Sequence, residues 1–110
     1  MNPLQALLLF LCRPRKRVLN QAHKHSIRNR REVEASHSCG CFCCLSIYSA
    51  TAVKDWTDWP EGTNDAQESE HDLTAICPRC GTDAVIGSAT GYPITAEFLR
   101  HMKHYWFKGL

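Results

Sequence analysis

Two short stretches decide the fold: Cys39-Gly40-Cys41-Phe42-Cys43-Cys44 and, thirty-odd residues on, Cys77-Pro78-Arg79-Cys80-Gly81. The second has the form C-P-x-C-G, a tight turn that presents its first cysteine to backbone N–H groups and closes on a glycine able to take positive φ. Proline after the first cysteine fixes φ near −65° and stiffens the loop. Two such turns facing each other bring four thiolates within tetrahedral reach of one Zn²⁺, which neutralises half of their charge. In the first stretch the C-x-x-C spacing selects Cys41 with Cys44. The candidate metal ligands are therefore Cys41, Cys44, Cys77 and Cys80. Cys39 and Cys43 are the alternatives to Cys41 and otherwise read as packing or exposed thiols. His37, just before the cluster, is kept as a substitute ligand.

Cysteine usage supports metal over disulfides. The chain has 110 residues and 7 cysteines. An odd count, an adjacent pair and two C-x-x-C spacings do not read as a disulfide framework, and a reduced metal site suits a cytoplasmic protein. A chain this short also buries a modest core, so a structural metal that links the two turns is what lets the second half fold.

Working outward, Leu45-Ser46-Ile47-Tyr48 alternates as a strand does. Ser49 or Thr51 can cap a helical turn carrying Val53 and Trp56, and Trp56 with Trp59 is expected to cover the metal site. Leu73 to Ile76 leads into the second turn as a strand and Ala84 to Ile86 leads out of it, so each turn is expected at the tip of a hairpin. After the turn-forming residues 87–93, Thr95 caps a helix with Glu97 in its first turn. Phe98, Leu99, Met102, Tyr105 and Trp106 form one apolar stripe along it, with Lys108 and Gly109 at its end. The expected fold class is α+β: a small zinc ribbon of two knuckle hairpins with a C-terminal amphipathic helix.

Residues 1–22 read as an apolar and basic extension without packed structure, and residues 23–110 as the zinc-ribbon domain, interrupted by an acidic loop over residues 55–72. The run Leu4 to Cys12 is short of the roughly 20 apolar residues of a membrane span. Its positive charges follow it, which opposes export. A helix starting at Ser26 is expected before the cysteines. Charge is unevenly spread although the net charge is only +2. Arg13, Arg15, Lys16, Arg17, Lys24, Arg28, Arg30 and Arg31 face only Glu32 and Glu34 among the first 37 residues. Asp55, Asp58, Glu61, Asp65, Glu68, Glu70 and Asp72 have no Lys or Arg among them.

No nucleophile–base pair, phosphate-cradling loop or H-x-E companion to a C-x-x-C is present, and four cysteines close the coordination of a zinc, so catalysis is not expected. His23 with His25 and His101 with His104 read as structural or solvated histidines. Three classes of function remain. A binding or adaptor module with a protein partner leads. Nucleic-acid binding through the basic segment is the second. The third is electron transfer at a single iron of the rubredoxin type, although Leu45-Ser46 stands where such proteins place Gly-Tyr.

The combination of Gly40 to Cys44, Cys77 to Gly81, Asp83 to Gly87, Gly91 to Thr95, Glu97 to Leu99, and Met102 with Tyr105 to Phe107 resembles an uncharacterised family of small bacterial cytoplasmic proteins with GCFxC, CPxCG, SGYPIT and YWF motifs. The resemblance runs from about His23 to Phe107. It implies the zinc ribbon and brings no activity. Where the family commonly has an aromatic residue, this chain has Cys43, which implies that Cys43 is not a ligand. Ala89-Thr90 replaces a small-Ser pair, and residues before about Gln21 have no counterpart and are expected to be an upstream start.

Overall fold

A computed structural model describes residues 14–57 and 73–107 of the chain. In order, they form α1 (Lys16–Lys24), α2 (Arg30–Glu34), β1 (Ser38–Cys41), β2 (Ile47–Ser49), a 3₁₀ turn (Ala50–Ala52), β3 (Asp55–Thr57), β4 (Thr74–Ile76), β5 (Val85–Gly87), a second 3₁₀ turn (Ser88–Thr90) and α3 (Ala96–Trp106). Strands β2, β1 and β5 make one antiparallel sheet with β1 in the centre, and β3 pairs with β4 in a second. Helices and antiparallel sheets thus share one small core.

Strand alternation assigns the two faces of β1. Gly40, paired with Ile47 and Ile86, faces α3, where a Cβ would lie 2.8 Å from Leu99 Cδ1 and 3.1 Å from Ile94 Cγ2. Glycine there lets the helix lie directly on the strand. Cys39 and Cys41 point to the opposite face. Helix α3 begins as its sequence predicts, with Thr95 Oγ1 accepting the Phe98 N–H at 3.1 Å. Phe98, Leu99 and Met102 are buried beneath it. The helix ends at Trp106 with Phe107 as its cap, and Lys108 and Gly109 lie outside the described residues.

Several expectations change. Residues 16–22, assigned to an extension without packed structure, belong to α1, whose Leu19 and Ala22 are buried. Trp106 Nε1 donates to the Leu19 carbonyl at 3.2 Å, Asn20 Nδ2 donates to the Tyr105 hydroxyl at 3.2 Å, and the His23 and Trp106 rings lie 4.0 Å apart. The aromatic end of α3 supplies the partner that this short, base-flanked stretch lacks locally. Residues 1–13 lie outside the described residues. Ser26 does not open α2. It is buried and its hydroxyl donates back to the His23 carbonyl at 2.6 Å, closing α1, while α2 starts after Asn29.

The second turn is not a hairpin tip. Strand β4 enters it from the β3–β4 sheet and β5 leaves it to pair with β1, so it joins the two sheets. Residues 55–57, expected in the acidic loop, are strand β3, and residues 58–72 lie outside the described residues along with Trp59. Trp56 lies under the Arg30 guanidinium, 5.0 Å from its ring centre, and lines a cleft with Glu34, His37 and Lys54. No helix among the described residues is long and apolar enough to cross a membrane.

Candidate metal centre

Both turns are built by the same local chemistry. In the first, the Leu45 N–H returns to the Cys41 carbonyl at 2.8 Å and the Cys43 N–H points at Cys41 Sγ at 3.3 Å. In the second, the Gly81 N–H returns to the Cys77 carbonyl at 3.0 Å and the Arg79 N–H points at Cys77 Sγ at 3.4 Å. The residue after each second cysteine has positive φ, 66° at Leu45 and 79° at Gly81. Glycine adopts that conformation freely, whereas leucine carries a strain of about 1 kcal/mol or more, which the surrounding bonds must hold.

Strand ends aim the turns at each other. Cys41 ends β1, Cys77 follows β4, and the Phe42 N–H to Ala84 carbonyl bond of 3.0 Å ties the first turn to the chain leaving the second. The four sulfurs of Cys41, Cys44, Cys77 and Cys80 all lie within 4.8 Å of one another. Across the two turns, Cys41 Sγ is 3.6 Å from Cys80 Sγ and Cys44 Sγ is 3.7 Å from Cys77 Sγ. Tetrahedral coordination at 2.3 Å per sulfur places sulfurs about 3.8 Å apart. The donor set therefore fits a tetrathiolate metal ion in both chemistry and spacing.

The four thiols are unequal. Cys41 and Cys77 are buried, Cys44 is half-buried and Cys80 is exposed. Burial drives the Cys41 thiol far above its ordinary ionisation range. Burial also opposes ionisation of Cys44, yet the Ser46 hydroxyl and N–H, with the Cys77 and Cys41 thiols, outweigh it and bring Cys44 down to about 7. Cys44 Sγ and Ser46 Oγ are 3.3 Å apart, a contact in which the thiol donates and the thiolate accepts.

The remaining candidates fall outside this group. Cys39 is wholly buried on the β1 face shared with Cys41, and burial pushes its thiol up to about 11. Cys43 receives the Thr82 hydroxyl at 3.6 Å. His37 precedes β1 at the end away from Cys41, roughly 13 Å along the strand at 3.3 Å per residue. His25 pairs with Glu32 at 2.9 Å, and His23 stacks on Trp106, where burial lowers its pKa against the opposing charge of Asp83. Among the described residues no histidine joins a metal-holding group.

Two residues that sequence reasoning passed over shape the site. Ser46 was read only as an alternating strand position, although it lies two residues beyond Cys44. Tyr48 stands opposite Cys39 in the sheet, and that register is what carries it to the thiols. Its hydroxyl is buried and makes no hydrogen bond among the described residues. Burial and the adjacent Cys77 sulfur push its ionisation far upward, so it is a proton donor. A neutral thiol is a weak acceptor for such a donor, whereas a metal-held thiolate is a strong one. Replacing Tyr48 with Phe is accordingly expected to weaken Zn²⁺ binding about tenfold, one charge-assisted hydrogen bond. Competition against a chelator of known affinity checks this; an unchanged zinc affinity would assign Tyr48 to packing alone.

Compared with protein-family models, curated proteins and solved structures, the chain matches none.

Proposed function

We propose that Cys41, Cys44, Cys77 and Cys80 hold one structural Zn²⁺ in a zinc-ribbon-like domain that works by binding a partner and not by chemistry at the metal. The observation that carries this reading is the gathering of four sulfurs within 4.8 Å, from turns that lie far apart in sequence and come from two sheets. Cysteine thiolates suit Zn²⁺, and four of them leave no open position for a substrate. The buried Tyr48 hydroxyl and the N–H groups of Cys43 and Arg79 are placed to serve the negative charge that such a centre retains.

Arg15, Lys16, Arg17 and Lys24 are exposed along α1, which has no acidic residue in its first turn. That basic face favours nucleic acid as a second reading beside a protein partner, and its signature is affinity that falls steeply with salt.

Elemental analysis of protein purified without added metal tests the metal reading. One zinc per chain is expected, with about four thiols becoming titratable after chelation. Iron with visible thiolate-to-metal absorption would instead support electron transfer, and no metal at all would overturn the reading.

A further inference from the structure

The four sulfurs differ in what protects them. Cys41 is buried and receives the Cys43 N–H at 3.3 Å. Cys77 is buried, receives the Arg79 N–H at 3.4 Å, and has the Tyr48 hydroxyl beside it. Cys44 is half-buried and braced by the Ser46 hydroxyl at 3.3 Å and by the Ser46 N–H. Cys80 is exposed, and among the described residues its sulfur meets the Cys41 thiol but no N–H or hydroxyl donor. Its neighbours Pro78, Arg79 and Gly81 are exposed too, so the turn presents its tip to solvent.

Resting on the metal reading above, we infer that Cys80 is the reactive position of the centre, a modification site for soft carbon electrophiles such as alkyl halides. Hydrogen bonds to a thiolate withdraw charge from the sulfur and burial blocks approach, and Cys80 has neither. A metal-held thiolate is the nucleophilic form of cysteine, so among four coordinated sulfurs the one open to solvent is the one an electrophile reaches first. In the reaction a Cys80 sulfur lone pair forms the new C–S bond as the carbon–halogen bond breaks, and the halide leaves with that bond's electron pair. No oxidant is required. The product is a neutral thioether, a poor partner for Zn²⁺, so one alkylation would remove a quarter of the ligand charge and leave the second turn held by Cys77 alone. Metal loss then follows from modification, coupling an exposed sulfur to the stability of the domain.

The test uses the full chain carrying one Zn²⁺, exposed at pH 6 to less than one equivalent of iodoacetamide, with peptide mapping by mass spectrometry and released zinc followed with a chromophoric chelator. Free thiols with a pKa near 8.5 are less than about 1% ionised there. Cys80 is expected to be labelled about tenfold faster than Cys41, Cys44 or Cys77, the difference one hydrogen bond makes. Zinc release should track Cys80 labelling one for one. In zinc-loaded protein, first labelling at Cys44, or at a cysteine outside the group with zinc retained, overturns the inference while leaving the metal reading intact. Protein that holds no zinc at all overturns both.

Discussion

Cys77→Ser is expected to leave the protein without metal and without a cooperative melt. Cys77 is 2% exposed and sits where the β3–β4 sheet passes into the second turn. Its N–H donates to the Thr82 carbonyl at 2.9 Å, its carbonyl accepts the Gly81 N–H at 3.0 Å, and its sulfur lies 3.7 Å from Cys44. Serine keeps the backbone bonds but offers a shorter, harder oxygen that stays protonated at neutral pH, so it does not replace a thiolate on Zn²⁺. Structural zinc contributes on the order of 10–16 kcal/mol in small domains, whereas a whole domain is stable by only about 5–15 kcal/mol. Losing the metal therefore exceeds the margin. Near-ultraviolet circular dichroism and metal content check the outcome, with Cys43→Ser as the control that keeps both. A Cys77→Ser protein that still binds one zinc and melts normally would sink the proposed ligand set.

Asn29→Ala should be a costly polar substitution away from the cysteines. Asn29 is 3% exposed and its side chain makes three bonds: Nδ2 donates to the His25 carbonyl at 2.9 Å and to the Val85 carbonyl at 2.8 Å, and Oδ1 accepts the Ala75 N–H at 3.0 Å. Ala75 is on β4 and Val85 on β5, so one amide clamps together the strands that enter and leave the second turn. Neighbouring bonds strengthen its β4 side: Arg30 N–H to the Leu73 carbonyl at 2.9 Å and Arg28 N–H to Thr74 Oγ1 at 2.8 Å. Alanine would leave a buried N–H and a buried carbonyl without partners, at about 1–3 kcal/mol each. A loss of roughly 3–4 kcal/mol is expected, read as a melting temperature lower by about 15–25 °C in zinc-loaded protein. Asn20→Ala, which removes an exposed bond to Tyr105, is the comparison and should cost no more than about 0.5 kcal/mol. If the two variants melt alike, the clamp does not hold the sheets.

What proved legible in the sequence is what a few neighbouring residues decide among themselves. Cysteine spacing, a proline that fixes φ, a glycine at positive φ and a threonine before a helix act over three or four residues. Gly81 and Thr95 accordingly adopt the conformations read from their neighbours. The four cysteines selected by spacing are also those whose sulfurs gather. Leu45 shows the limit of such reading, since nothing in leucine announces a φ of 66°.

The rest depended on partners distant in sequence. Asn29 bonds to residues 46 and 56 positions away, and the Leu19 carbonyl to a side chain 87 positions away, so a polar loop and a base-flanked helix become structural only once the chain has closed on itself. Pairing of β4 with β3 instead of β5 follows from the same cause: a hairpin is the local solution, but β5 completes β1 while the Asn29 clamp holds β4 beside it. The inequality of the four cysteines was equally hidden, because exposure and hydrogen-bond donors are set by packing and not by spacing. Sequence alone thus determined which four cysteines come together, through local geometry. Tertiary structure decided which elements hold them and which sulfur faces solvent, because burial is a property of contacts between segments that the order of residues does not reveal.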